Sequence, residues 1–446
     1  MNQLYFLLIF LTFNGLFLHT TWSAEENPTY LKWSGEYRTR YEFLLPPSGE
    51  GTSSLNTFSH RLIFSSNFKP EENIEIKASL LLSENLGQDY KGFAGYKVNT
   101  SQDESVSIYE LYANWLANSG LGFQVGRFLF NNSNDNIFSK NLDDAIPTRF
   151  DGGLLKYDKD FFNFSGGVFV VSQFQNAQLK TETSRLYLVS VDLKINENLF
   201  KNINFSFISY DTKENTIVDL NNFTFPEQSF TMYSASLTGE YERFFYDADV
   251  AIQQGDNKTT NQLMDNSMLN GTLGMTLHLP SKLKVFSQFH RDTGDVASTT
   301  ETNESYNPMF YNHFLNAGRM NLLGWGNLTS YSLGLSRKWS DKTTVHLEYI
   351  SFLRTSPDSG INGLSATGLT PLTSDNSGNN TGPFNNILAS LKKNIGDEID
   401  LVIDYTSPIG LKFQSITGVF LPGAYLKDYS KTDTIFFQRF GLEFLF

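Results

Sequence analysis

Hydrophobic and polar side chains alternate along much of the chain, and residues 31–43 show the pattern most clearly. On an extended segment, one face there carries the apolar and small residues Leu31, Trp33, Gly35, Tyr37, Thr39, Tyr41 and Phe43. The other face carries Lys32, Ser34, Glu36, Arg38, Arg40 and Glu42. Successive side chains of a β-strand point to opposite sides of the sheet. A strand that is apolar on one side and charged on the other is typical of a wall between lipid and a water-filled lumen.

The same alternation recurs at residues 74–82, 187–195, 246–252, 345–353 and 399–405. We count about eighteen such segments, each near the length of about ten residues that a membrane-crossing strand needs. They begin near residues 31, 58, 74, 106, 121, 152, 162, 184, 203, 231, 245, 268, 283, 328, 343, 396, 411 and 433.

The connections between these segments alternate between long and short. Those after odd-numbered segments are long, as at residues 44–57, 84–105, 129–149, 211–230, 292–327 and 355–394. Those after even-numbered segments are short, as at residues 70–73, 118–120, 280–282, 340–342 and 407–410. Long extracellular loops and short periplasmic turns are the pattern of outer-membrane barrels. The sequence therefore predicts an all-β fold, a transmembrane antiparallel β-barrel of about eighteen strands.

Composition agrees with this fold. The chain has 446 residues, 15% of them aromatic, a net charge of −13 and no cysteine. Its mean hydropathy is −0.29, as expected when each strand places half of its side chains in lipid and half in water. The absence of cysteine excludes a disulfide framework and thiolate chemistry.

The N-terminal residues indicate export from the cytoplasm. Residues 4–18 are apolar but shorter than the ~20 residues of a membrane-spanning helix, and Ser23 and Ala24 beyond them suit a cleavage site. We expect a signal peptide over residues 1–23 and a single barrel domain over residues 24–446, located in the bacterial outer membrane. An N-terminal membrane anchor is the alternative.

The C-terminal segment resembles the strand that closes an outer-membrane barrel. One face carries Phe436, Phe440, Leu442, Phe444 and Phe446, and the other carries Arg439 and Glu443. The expected partners are therefore outer-membrane lipid, the barrel assembly machinery acting through Phe446, and a hydrophilic or anionic solute in the lumen. No nucleic-acid partner is expected.

Charged residues on the polar faces are candidates for the pore lining, because rings of charged side chains set ion selectivity. They are Arg38, Arg40, Arg61, Glu110, Arg127, Asp192, Arg354, Asp404, Arg439 and Glu443. Their mixed signs argue against a strongly anion-selective pore. The alternative is that opposite charges pair across neighbouring strands and only hydrate the wall.

The Asn-rich connection at residues 129–149 has features of a loop that folds into the lumen. Arg149 and Asp151 flank the start of the next strand, where charge-assisted hydrogen bonds could hold the loop inside the barrel. Ordinary surface-turn chemistry explains the same residues equally well.

Nothing in the chain indicates an enzyme. No G-x-S-x-G, H-E-x-x-H or phosphate-binding loop is present. His278, His290 and His346 alternate toward the lumen, away from the outer rim where a barrel lipase or protease would need them. No clustered ligand set predicts a metal or another cofactor.

Several short stretches are similar to the alginate export family of outer-membrane channels. Residues 394–402 and 418–425 resemble that family's last strands, and residues 108–112 resemble its fourth-strand segment. Residues 126–128 and 148–152 resemble its G-R-Q and R-T-F-D-G stretches, although Phe128 stands where the family often has Gln.

This resemblance implies a monomeric eighteen-stranded barrel that passes an anionic polysaccharide, such as alginate or its oligomers, by passive diffusion. It also implies that Arg127, Arg149 and Asp151, together with Glu110, lie at the constriction or anchor a loop there. Two other functions stay open. One is a structural or adhesive barrel whose lumen is blocked by loops such as residues 355–394, and the other is a barrel enzyme.

Overall fold

The computed structural model describes residues 30–45, 55–87, 104–130, 136–140, 149–171, 185–195, 199–212, 215–217, 223–225, 227–258, 261–277, 282–296, 298–299, 301–306, 318–320, 322–323, 326–358, 392–428 and 433–446. The predicted signal peptide lies outside these residues, as does most of the connection at residues 355–394.

Eighteen long strands in the described ranges form the wall of the barrel. They are β1 (Tyr30–Leu45), β2 (Leu55–Glu71), β3 (Ile74–Gly87), β4 (Glu104–Leu116), β5 (Leu121–Phe128), β6 (Phe150–Asp158), β7 (Phe162–Val171), β8 (Arg185–Lys194), β9 (Asn202–Thr212), β10 (Gln228–Tyr241), β11 (Phe244–Asn257), β12 (Gln262–Leu277), β13 (Leu283–Asp292), β14 (Leu328–Lys338), β15 (Thr343–Arg354), β16 (Asn394–Thr406), β17 (Leu411–Pro422) and β18 (Ile435–Leu445).

Each strand pairs antiparallel with its neighbour in the chain, and β18 pairs with β1, so the sheet closes on itself. Closure leaves no unpaired edge, which is what lipid requires of a sheet. Three small elements accompany the wall: a hairpin (Asn215–Ile217 with Phe223–Phe225), a two-residue strand (Thr302–Asn303) beside β12, and the helix α1 (Ala424–Lys427). The predicted fold class is confirmed.

The predicted rhythm of long and short connections is also present. Only two residues separate β2 from β3 and β10 from β11, whereas residues 129–149 separate β5 from β6. The connection between β11 and β12, residues 258–261, is a short one on the side of the long loops. The tight turn between β4 and β5 requires a glycine at position 120. Its φ is +90°, and a Cβ there would collide with the carbonyl oxygen of Asp158.

The outer and inner faces of the wall reverse the usual burial pattern of a soluble protein. Large apolar side chains are exposed on the outer face, among them Trp33, Val106, Phe123, Val125, Leu155, Phe205, Leu273 and Leu333. Arginines and carboxylates are buried on the inner face. A surface of this kind is stable only against lipid. No helix in the described part of the chain is long and apolar enough to cross a membrane.

The two chain ends of the barrel meet at the seam between β18 and β1. The amide of Phe446 donates to the carbonyl of Gly35 at 3.0 Å, and the Gly35 amide donates back at 2.7 Å. The Phe446 ring covers Gly35 so closely that a side chain there would displace it. The C-terminal residue is therefore part of the strand pairing that closes the barrel.

Candidate pore-lining site

Four arginines lie side by side on the inner faces of three adjacent strands: Arg38 and Arg40 on β1, Arg61 on β2 and Arg439 on β18. We call these residues the arginine wall. Arg38 stands directly opposite Arg61 in the pairing of β1 with β2. The exposed fraction of each of the four residues is between 4% and 8%, so the guanidinium groups are packed within the lumen rather than spread on a surface.

Three carboxylates partly neutralise the arginine wall. The Arg61 Nε–Glu36 Oε1 distance is 3.0 Å, and the Arg439 Nε–Glu42 Oε1 distance is 2.7 Å. Lys412 adds a fifth cation and contacts Glu443 at 2.6 Å. Like charges on directly paired positions repel each other, as at Arg38 and Arg61, so the cluster of four buried arginines favours a nearby anion.

The other lumenal candidates are paired within the wall. Lys77 Nζ contacts Glu110 Oε2 at 2.5 Å, next to an irregularity in the pairing of β3 with β4. Asn204 donates to Asp192 at 2.6 Å. Gln414 donates to Asp404 at 2.9 Å. These residues and the arginine wall lie on inner faces as expected, and their role in solute passage stays a prediction.

The placement of Arg127 and Asp151 differs from the sequence-based prediction. Arg127 shares a face of β5 with the exposed side chains of Phe123 and Val125, and Asp151 shares a face of β6 with Leu155. Both residues therefore point outward. They form a bidentate ion pair, with Nε–Oδ1 at 2.6 Å and Nη2–Oδ2 at 2.7 Å. The prediction that Arg127 and Asp151 lie inside a constriction is therefore corrected. Both lie on the outer face of the wall, where each neutralises the charge of the other.

Arg149 is inside the barrel wall but does not line an open pore. It is completely buried, and its Nη1 donates to Ser107 Oγ at 3.1 Å and to the carbonyl of Ile108 at 3.0 Å. Arg149 therefore attaches the start of β6 to β4. These hydrogen bonds reach past β5, and a role of Arg149 in holding the loop stays a prediction.

Arg354 is likewise a structural residue rather than a pore-lining one. Its side chain is 1% exposed and stacks on the Tyr425 ring of α1, with 4.1 Å between the guanidinium carbon and the ring centre. Its nitrogens donate to the carbonyls of Lys392 and Pro357. The pore-lining prediction for Arg354 is therefore corrected: this arginine fastens the residues that flank a long loop to α1.

The loop between β5 and β6, called L3, enters the lumen. Phe138 of L3 stacks on Phe150 at 5.0 Å between ring centres and belongs to the buried apolar cluster inside the barrel. Asn136 donates to Asp249 of β11 at 2.6 Å, five strands away from β6. The remaining asparagines of L3 and its three aspartates, Asp135, Asp143 and Asp144, lie outside the described residues. The described part of L3 therefore reaches across the lumen and narrows it.

The loop between β13 and β14, called L7, also packs against the inner wall. Tyr306 is buried and donates to the Met232 sulfur at 3.7 Å, and burial raises the pKa of its phenol. Met320, Leu322 and Leu323 join the same apolar cluster as the L3 residues. These contacts were not predicted, because a contact between a loop residue and a distant strand produces no periodic pattern in the sequence.

Among the described residues, no group of three or more His, Asp or Glu side chains is arranged as a metal site.

A closed eighteen-strand barrel with an apolar outer face and a narrowed, charged lumen defines the class of outer-membrane porin-like proteins. More specifically, the chain belongs to the alginate export family, whose model matches residues 29–434. The resemblance in the short sequence stretches is thereby confirmed. No curated protein sequence matches the chain.

Solved structures of outer-membrane channels from Pseudomonas aeruginosa share the fold at low sequence identity. OccK9 (OpdG) superposes with a TM-score of 0.61 at 12% identity, covering 93% of this chain and 98% of that one. OpdO gives a TM-score of 0.59 at 13% identity, with coverages of 93% and 97%. OccK2 (OpdF) in complex with glucuronate gives 0.58 at 11% identity, also with coverages of 93% and 97%.

Proposed function

We propose that this protein is an outer-membrane channel through which a small anionic, hydroxyl-rich solute diffuses passively, with oligomers of alginate or a related uronate as the solute class. The observation that carries this proposal is the concentration of four buried arginines on three adjacent strands at the arginine wall. A planar guanidinium group pairs well with a carboxylate, and several neighbouring arginines offer a series of similar sites. Passage requires binding of this weak, repeated kind.

Family membership and one structural neighbour support the proposed solute. The family is named for alginate export, and the OccK2 (OpdF) structure contains glucuronate, a sugar carboxylate. The lumenal wall also carries neutral hydroxyl and amide groups next to the charged ones, as in the network of Ser190, Asn204 and Ser206. Such groups both donate and accept hydrogen bonds, which matches the hydroxyls of a sugar.

The test compares two arginines on opposite faces of the wall. Arg61→Met removes a cation from the arginine wall and leaves Glu36 without its guanidinium, so anion preference in a planar bilayer under a KCl gradient should fall clearly. Arg127→Met is the matched control: it removes the same charge from the outer face and should leave ion selectivity unchanged. Oligouronates should interrupt the wild-type current and interrupt that of Arg61→Met less. Equal selectivity in all three proteins would contradict the proposal.

A second candidate function follows from the loops inside the barrel. L3 and L7 both pack within the lumen, which favours a structural or adhesive barrel if together they close it. Bilayers that stay silent while the protein binds a surface would support this candidate over the channel. We assign no covalent chemistry to either function.

We further propose that residues 1–23 are removed as a signal peptide, that Phe446 is read by the barrel assembly machinery, and that the barrel works as a monomer in the outer membrane. The pairing of Phe446 with Gly35 supports the second point, because it makes the C-terminal residue part of the closing seam.

A further inference from the structure

A three-residue segment of L7, residues 318–320, is seated on the inner face of β16. The amide of Met320 donates to Glu398 Oε1 at 3.0 Å, and the amide of Arg319 donates to Asp400 Oδ2 at 3.0 Å. Gly318, with φ +85°, approaches the Glu398 carboxyl group so closely that a Cβ would collide with it. We call residues 318–320 the seated segment.

The seated segment covers two fully buried carboxyl groups. Glu398 and Asp400 are both 0% exposed. Glu348 of β15 stands opposite Asp400 in the strand pairing and accepts from His346 at 3.1 Å. The seated segment contributes the cation of Arg319. The other positions directly opposite the two carboxyl groups carry no charge: Ile350 on β15 and Phe420 on β17 stand opposite Glu398, and Gly418 on β17 stands opposite Asp400.

The hydrogen bonding of the two carboxyl groups is incomplete. Glu398 Oε2 and Asp400 Oδ1 are buried without a donor, and the two residues stand two positions apart on the same inner face of β16. Ionised carboxylates only accept hydrogen bonds, so two neighbouring buried carboxylates cannot supply each other with a donor. A single proton between them would supply it, as in other close carboxyl pairs.

A metal ion fits this site less well than a proton. The amides of Arg319 and Met320 point at the carboxyl oxygens, and their positive ends would face a cation. The described residues also contain no group of three side-chain ligands arranged for a metal.

We propose that Glu398 and Asp400 share one proton while residues 318–320 are seated on β16, and that loss of this proton releases the segment from the wall. The shared proton is held where water is excluded, whereas both groups ionise freely once the segment lifts and water reaches them. Proton binding and seating are therefore linked, and raising the pH favours the released state. With one linked proton, the ratio of released to seated molecules changes by up to about tenfold per pH unit.

The chain has no cysteine, so a single introduced thiol reports on the seated segment without interference. Met320→Cys places that thiol at a position that is 1% exposed in the seated state. Asp341→Cys, in a turn where the native side chain is 98% exposed, corrects for the intrinsic pH dependence of thiol reactivity. The measurement is the rate of maleimide labelling of the full-length protein in lipid vesicles, given as the ratio of the two sites, from about pH 6 to about pH 9.

We expect this ratio to be low at the acidic end and to rise as the pH increases. A ratio that is high at every pH would show that the segment is not seated, and a low ratio that does not change with pH would show that no proton controls it. Either result would overturn the proposal. Because labelling needs no ion current, the result does not depend on whether the barrel proves to be a channel.

The variant Glu398→Gln identifies the group that holds the proton. An amide both accepts from Met320 and donates to Asp400, as a protonated carboxyl group does, so labelling of Met320→Cys should stay slow at high pH. Asp397→Asn, on the outer face of the same strand, is the matched control and should keep the pH response. A full pH response in Glu398→Gln would assign the proton elsewhere, with His346 as the nearest alternative, and would overturn the proposal.

Discussion

At the scale of single residues, the structure separates arginines that resemble each other in sequence. Arg61 is paired inside the lumen, Arg127 is paired outside, and Arg354 is packed between a helix and a loop. All three are strand residues, but their burial and their partners differ. We therefore expect the charge of the arginine wall to act on solute, whereas Arg354 holds parts of the fold together.

Replacing Arg354 should weaken the fold rather than change selectivity. Arg354→Met keeps the length of the side chain but leaves the carbonyls of Lys392 and Pro357 without these donors, at a cost of about 1–3 kcal/mol in the free energy of unfolding. Urea titration in lipid vesicles would measure this change. Arg337→Met is the control, because Arg337 stacks on the exposed ring of Trp339, and about 0.5–1 kcal/mol is expected for that contact. Equal losses in both variants would contradict the structural role of Arg354.

At the scale of elements, the loops decide how wide the lumen is. Eighteen strands alone enclose an aqueous channel. L3 narrows it through an aromatic cluster around Phe138 and through the bond from Asn136 to the far wall. L7 packs on β16 through backbone donors. The strands thus provide a rigid cylinder, and loop contacts set the path inside it.

Removing the contact of L3 with the far wall should widen the channel. Asn136→Ala removes a hydrogen bond to the carboxylate of Asp249, a contact worth about 2 kcal/mol when one partner is charged. Single-channel conductance should increase, or brief high-conductance events should become frequent. Asn118→Ala, at an exposed position in a periplasmic turn, should leave the recordings unchanged. Unaltered conductance in Asn136→Ala would show that the aromatic cluster alone holds L3.

At the scale of the whole molecule, the net charge is negative although one part of the lumen is rich in arginine. The chain carries −13 overall, yet four buried arginines lie together in one part of the lumen. Solute in the lumen responds to nearby charges more than to distant ones, because salt screens interactions over about 10 Å at 0.1 M. The net charge is therefore a poor guide to ion preference.

Anion preference measured from reversal potentials should be strong in dilute KCl and should fall toward neutrality at about 1 M, where the screening length is about 3 Å. A preference that does not change with salt would indicate selection by size rather than by the charge of the arginine wall. A cation preference in dilute KCl would show that the acidic groups around β16 dominate instead.

Sequence alone was sufficient to determine the fold. Side-chain alternation is a local property of each strand. Every strand of the barrel shows it, because one face meets lipid and the other meets water. Most strand starts, the rhythm of most connections and the inner positions of Arg38, Arg40, Arg61 and Arg439 were therefore predictable, although β12 begins at Gln262 and not near residue 268.

Tertiary structure decided which charged residues can meet a solute. The face on which Arg127 and Asp151 lie, the stacking of Arg354 on Tyr425, and the seating of residues 318–320 on Glu398 and Asp400 depend on contacts between segments far apart in the chain. Such contacts leave no periodic signal, because each depends on where the closed barrel brings a loop and a strand together.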